Sequence, residues 1–370
     1  MTEPPPNPGP SQPPRARGAP GLGAKLVLCA VACLVALAVA EGALHLLGIE
    51  IRADRLARDP MLGWRNRPGW VGAAFRVNSR GFLGPEFSPA KPAGAVRVFC
   101  LGDSTTAGDL LPSYDDTYPR QLERLLQARC PDRPVEVVNA GVGGYSSFQG
   151  RRWLETEILD YEPDVVVLYF GWNDHWPARL AGEDKVACGS TSERLRAWLA
   201  WSKLLQLSIR AYHTVRGHAT LPREAAGGGA PVASSSRPAR VSLADYEANL
   251  RAMVAATRRR GGEAVLVTAP NYLACATVAD AEAQAQADAQ AQAEALVALH
   301  ERYNHVARRV ANDTGACLVD AASQLEAAAD AKALFWDPPR DFIHLSAQGY
   351  GRLARAVADC PALARALEGR

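Results

Sequence analysis

Four short stretches of this 370-residue chain combine residue types that suit attack on a carbonyl carbon: Gly102-Asp103-Ser104, Asn139-Ala140-Gly141-Val142-Gly143-Gly144, Gly171-Trp172-Asn173-Asp174 and Asp341-Phe342-Ile343-His344. A serine hydroxyl is a weak nucleophile near neutral pH and needs an imidazole to take its proton. The imidazole in turn needs a carboxylate to fix its tautomer and stabilise its charged form. Ser104, His344 and Asp341 supply these three groups, with Asp341 only three residues before His344. The oxyanion formed by attack needs preorganised donors. The backbone N–H of Ser104, a glycine N–H from the second stretch and the amide of Asn173 can provide them. Each residue also has a plain structural reading. Ser104 alone fits a helix N-cap, Asn173-Asp174 a turn, and His344 a surface histidine. Asp337 competes with Asp341 as the partner of His344.

These residues must be carried by elements that bring them together. Val96–Leu101, Val135–Val138, Val165–Phe170, Ala264–Thr268 and Ala316–Val319 are short, nearly continuous apolar runs. Parallel strands covered on both faces read this way. Helical stretches fall between and after them, near 118–129, 149–160, 243–260, 278–312 and 347–358. The alternation predicts an α/β three-layer sandwich around a central, mostly parallel five-stranded sheet. Ligands of such sheets bind beyond the carboxyl ends of the strands, and three of the four stretches directly follow a strand. Residues 176–240 break the rhythm. A Trp/Leu-rich part (Leu195–Tyr212) and a Gly/Ala/Ser part (Ala225–Ser236) predict an inserted lid, with His175 and Trp176 at its hinge or on a pocket wall. The Ala/Gln/Asp-rich residues 279–297 predict a long exposed helix.

In order and content the four stretches resemble the four sequence blocks of SGNH/GDSL hydrolases, over about residues 96–360. Gly63-Trp64 and Asn78-Ser79-Arg80-Gly81-Phe82 are similar to the lead-in of bacterial, membrane-anchored members. The resemblance implies an SGNH (flavodoxin-like) fold and a serine esterase with neither cofactor nor metal. Ser104 is then the nucleophile, His344 the base and Asp341 its orienter. The N–H groups of Ser104 and Gly144 and the side chain of Asn173 form the oxyanion hole, with Gly141 as the alternative glycine. Thr105 and Trp172 depart from the usual pattern and bear on substrate preference. An acyl-ester substrate on a cell-envelope glycan or lipid is expected. An O-acyltransferase acting on a glycan would use the same residues, and a catalytically inactive surface protein would keep the fold alone.

Residues 1–20, rich in Pro, Gly and Ser, have almost nothing to bury and predict a disordered tail. After Lys25 the chain is uncharged and apolar from Leu26 to Ala40. Residues 21–45 are long enough to span a bilayer as a signal-anchor helix. The preceding Arg15, Arg17 and Lys25 orient the body away from the cytoplasm. A cleaved signal peptide ending at Ala38-Val39-Ala40 is the alternative, and it also exports the body. Residues 46–94 form a juxtamembrane lead-in, and 95–370 the hydrolase domain. A net charge of +2, from 41 basic and 39 acidic residues, gives nucleic acid no electrostatic footprint. A Gly-x-Gly-x-x-Gly loop, a Gly-x-Ser-x-Gly elbow around Ser104 and a His-Glu-x-x-His metal motif are all missing. Cys29, Cys33 and Cys100 read as buried apolar residues. Outside the cytoplasm, Cys130, Cys188, Cys275, Cys317 and Cys360 can include a disulfide, with the pairing left open. The sequence does not fix oligomeric state.

Overall fold

Valine-rich segments dominate the centre of the chain, and β-branched side chains fit a pleated surface covered on both sides. The computed structural model describes residues 21–47, 55–178, 202–205, 207–208, 238–274, 285–338 and 340–369. The Pro-rich tail, most of the 176–240 insertion and residues 279–284 lie outside these. The chain divides into two compact units, Met1–Arg52 with Arg196–Val215, and Ala53–Leu195 with Arg216–Arg370.

The first unit contains α1 (Leu22–Leu46), a 25-residue helix that is uncharged and apolar on every face between Lys25 and Glu41. Its stretch Lys25–Leu46 is long and apolar enough to cross a membrane, and none of it is buried within the protein. Cys29 and Cys33 lie on this uncovered helix and are exposed rather than buried. The Glu41 carboxylate accepts hydrogen bonds from the Ser202 hydroxyl and the Leu204 N–H at 2.8 and 3.1 Å.

The second unit begins with a hairpin in the lead-in, β1 (Leu56–Asp59) and β2 (Gly63–Asn66). The sheet follows: β3 (Val96–Gly102), β4 (Val135–Gly141), β5 (Val165–Tyr169), β6 (Glu263–Val267) and β7 (Cys317–Val319). All five are parallel, in the order β4-β3-β5-β6-β7. The chain starts at β3, steps out to β4 and returns to place β5 on the other side. In open α/β sheets such a reversal marks the crevice, outside the carboxyl ends of the strands, where ligands bind.

Strand side chains alternate between faces, and the core follows that period. Val96, Val98 and Cys100 of β3, with Val165 and Val167 of β5, pack against Tyr118, Leu122, Leu353 and Val357. These belong to α3 (Tyr118–Arg129) and α10 (Ala347–Ala358). Phe99, Leu101, Val166 and Leu168 face the other way, onto Trp153, Leu154, Met253 and Val310. Those come from α4 (Ser147–Thr156), α6 (Leu243–Arg259) and α7 (Ala285–Thr314). Shorter helices complete the unit: α2 (Ser104–Ala107), α5 (Trp172–His175), α8 (Ala321–Glu326), α9 (Ala331–Leu334) and α11 (Pro361–Glu368). A last hairpin joins β8 (Phe335–Asp337) to β9 (Asp341–Leu345). Cys317 and Cys360 are joined in a disulfide, with Cα atoms 6.5 Å apart.

Candidate active site

β3 ends at Gly102, and the chain turns at once into α2. The turn is made by Asp103, not Ser104. Its Oδ1 accepts from the N–H and the hydroxyl of Thr105 at 2.8 and 2.7 Å, the side-chain capping that a short polar residue provides. Ser104 is therefore the first helical residue rather than the cap. The other oxygen, Oδ2, accepts from Nδ2 of Asn173 at 2.9 Å, tying the end of β3 to α5 beyond β5. Burial raises the pKa of Asp103, against the opposing pull of its Thr105 bonds, His344 and Asn173.

Asp341 and His344 lie on β9, a strand. In a regular strand residues three apart face opposite sides. Here Asp341 Oδ1 accepts from the N–H groups of Ile343 and His344 at 2.9 and 2.8 Å, folding the carboxylate back along the chain. Its Oδ2 lies 2.8 Å from Nδ1 of His344, and Nε2 of His344 lies 2.9 Å from Oγ of Ser104. A carboxylate only accepts, so Nδ1 carries the proton and the Nε2 lone pair faces the serine hydroxyl. Asp337 instead faces Arg340 at 3.7 Å and is exposed. Burial disfavours the charged imidazole, but the Asp341 bond and charge, with the charges of Asp109 and Asp103, outweigh it and raise the pKa of His344. Burial likewise works against the Asp341 carboxylate, and its His344 and backbone bonds hold its pKa below the ordinary value.

The loop after β4 passes beside this pair. Gly141 packs so tightly that a Cβ would stand 2.2 Å from the backbone nitrogen of Ala107. Its N–H donates to Asn139 Oδ1 at 2.9 Å and so is not free for a ligand, which removes Gly141 as the alternative donor. Gly144 has φ +80°, the left-handed region that favours glycine. Its N–H, like that of Ser104, enters no hydrogen bond among the described residues. Asn173 has a second amide hydrogen beyond the one given to Asp103. Three donors are thus available at the carboxyl ends of β3, β4 and β5.

Four residues around this crevice carried no role in the sequence reading. Asp109 pairs with Arg55 at 2.6 Å. Trp64 Nε1 donates to the carbonyl of Gly143 and Arg240 to that of Gly144, both at 2.9 Å. Only Gly63-Trp64 left a trace in the sequence, as part of the lead-in. His175 is fully buried rather than on a pocket wall, with Nε2 3.0 Å from Nδ1 of His300. The His300 ring stacks on Trp172 at 3.8 Å and bonds the carbonyl of Ala269 at 2.7 Å. Burial depresses the pKa of His300 to about 4 and that of His175 well below the ordinary value, so this pair is neutral structure behind α5. The Trp176 carbonyl accepts from the Arg240 N–H at 2.8 Å.

The chain belongs to the GDSL-like lipase/acylhydrolase family, whose model matches residues 100–352. Over 82 residues it is 30% identical to the uncharacterized lipoprotein YqeF of Bacillus subtilis (strain 168), a match covering 22% of this chain and 33% of the relative. The chain therefore spans about a third of that relative's length. Among solved structures it is similar to a lipase/acylhydrolase from Enterococcus faecalis, with 18% identity, 73% of this chain and 95% of that one covered, and a TM-score of 0.42. It is also similar to the acetylxylan esterase Axe2 of Geobacillus stearothermophilus, with 20% identity, 71% and 92% covered, and a TM-score of 0.43.

Proposed function

We propose that the protein is a serine esterase in which Ser104 attacks the acyl carbonyl, His344 moves the proton and Asp341 holds His344. The observation that carries this reading is the unbroken line Ser104 Oγ–His344 Nε2–His344 Nδ1–Asp341 Oδ2, with contacts of 2.9 and 2.8 Å. Attack forms the Oγ–carbon bond, the hydroxyl proton passes to Nε2, and the carbonyl electron pair moves onto oxygen. The N–H groups of Ser104 and Gly144 and the Asn173 amide donate to that oxygen. Collapse of the intermediate expels the alcohol, which takes the proton back from His344 and leaves an acyl-serine. Water then repeats the sequence with His344 as base, releasing the acid. The substrates proposed are short acyl esters on envelope glycans or lipids. A glycan hydroxyl replacing water in the second half would make the same site an acyltransferase.

We also propose that α1 anchors the chain, with the body on the extracytoplasmic side. Its uncovered apolar surface, the basic residues preceding it and the Cys317–Cys360 disulfide support this. A protease-protection assay should find the body accessible from outside the cytoplasmic membrane, and a body protected in the cytosol would refute it. For the chemistry, the enzyme is given p-nitrophenyl acetate with and without a glycan acceptor, and acid and acylated glycan are counted. Acid release in both supports an esterase, whereas acylated glycan as the main product supports transfer. No turnover of any acyl ester would overturn the proposal.

A further inference from the structure

Resting on the reading of Gly144 as an oxyanion donor, we propose that Trp64 and Arg240 are positioning residues that clamp the Gly143–Gly144 turn and so aim the Gly144 N–H at the nucleophile. In a trans peptide the C=O and the following N–H lie in one plane and point in opposite directions. The direction of the Gly144 N–H is therefore set by whatever holds the carbonyl of Gly143. That group is the indole N–H of Trp64, at 2.9 Å. The next peptide is held at both ends. Arg240 donates to the carbonyl of Gly144 at 2.9 Å, and the Tyr145 N–H donates to Val142 at 3.1 Å.

The clamp is needed because of the sequence it holds. Two consecutive glycines carry no Cβ to resist rotation of the peptide plane between them. The flipped plane would turn the Gly143 carbonyl toward the place where the oxyanion forms, replacing a donor with a negative dipole. Trp64 is itself fixed: its ring meets Tyr145 edge-on at 5.9 Å, and the Tyr145 hydroxyl donates to its carbonyl. The guanidinium of Arg240 lies 6.0 Å from the Trp64 ring centroid and also donates to Gln149 at 3.3 Å, so the two clamping residues brace each other.

Their places in the chain add a consequence. Trp64 belongs to the β1–β2 hairpin of the lead-in, and Arg240 is where the chain returns from the 176–240 insertion. Neither is part of the sheet or of the four sequence blocks. Two elements added around the catalytic core thus converge on two adjacent peptides, those on either side of the Gly144 Cα, and a change in either reaches the oxyanion donor through them.

The test uses the full chain, p-nitrophenyl acetate, and a trifluoromethyl ketone whose adduct with the serine carries an oxyanion. Trp64→Phe keeps an aromatic ring and removes the donor. It is expected to lower kcat roughly 10- to 100-fold, less than or comparable to deleting a donor outright. KM and the unfolding midpoint should stay near wild type, and the ketone should bind more weakly by the factor lost in kcat/KM. Arg240→Ala should act in the same direction, and Arg240→Lys, which retains one donor, should recover part of the loss. Wild-type kcat per folded molecule in Trp64→Phe, beside a crippled Asn173→Ala, overturns the clamp alone. Wild-type kcat in both overturns the oxyanion reading beneath it. A rise in KM that accounts for the whole effect also overturns the clamp, because it would mean lost ground-state binding.

Discussion

Removing the Asn173 side chain separates a catalytic amide from one that only shapes a turn. Nδ2 of Asn173 has two hydrogens, and one is committed to Asp103 Oδ2 at 2.9 Å. The second is the one available to the oxyanion. Asn173→Ala therefore has two costs. Loss of the oxyanion donor should lower kcat by about 10²–10³-fold, roughly 2.7–4 kcal/mol of transition-state stabilisation, with KM little changed. Loss of the other bond leaves Asp103, only 2% exposed, with one oxygen short of a partner. Its Oδ1 keeps both Thr105 bonds, so the stability cost should stay near the 1–3 kcal/mol of a buried group losing a partner. Steady-state kinetics and urea unfolding on one preparation separate the two. If kcat per folded molecule is wild type and only the midpoint moves, Asn173 is a structural strut and the oxyanion assignment loses its side-chain donor.

Other outcomes follow from the same geometry. In the proposed mechanism His344 must be neutral to accept the Ser104 proton, and its neighbours raise its pKa, so activity should be lost as pH falls through that raised value. The acid limb of kcat/KM should then have its midpoint above 6.5, and Asp109→Asn, which removes a charge favouring the imidazolium, should move it lower. A midpoint below 6.5 in the wild type contradicts this. Arg97 is fully buried and donates to Glu136 and to the carbonyls of Ser88, Pro89 and Tyr161. Arg97→Ala should cost about 3–5 kcal/mol, the scale of a broken buried ion pair. A urea-unfolding loss under about 1 kcal/mol would place it with exposed pairs instead. In protein isolated without reductant, Cys317 and Cys360 should resist alkylation until reduced, and labelling of both before reduction would remove the disulfide.

The five sheet strands were legible because helices cover both faces, leaving continuous apolar runs such as Val165-Val166-Val167. The two hairpins were not. Leu56–Asp59 and Gly63–Asn66 are four residues each and carry Arg58, Asp59, Arg65 and Asn66, so no apolar alternation marks them. β9 was hidden by the polar residues that make it interesting, Asp341 and His344. The start of α4 was placed two residues late, although Ser146 and Gln149 form a capping box readable as Ser-x-x-Gln. At the candidate site, residues whose chemistry is intrinsic to the side chain could be picked out by type and spacing: Ser104, Asn173, Asp341 and His344. Trp64 and Arg240 could not. Each acts on a backbone carbonyl, 79 and 96 residues away in sequence, through the folded path of the chain. No local pattern records such a bond.

The central claim is that Ser104 is the nucleophile, and Ser104→Ala tests it most directly. Removing Oγ deletes one contact to His344 and no core packing, so the unfolding midpoint should stay near wild type. Turnover of p-nitrophenyl acetate by the full chain should fall by roughly 10⁴-fold or more, as when a nucleophile acting in concert with its base is removed. A folded Ser104→Ala enzyme with kcat/KM within a few-fold of wild type would contradict the account.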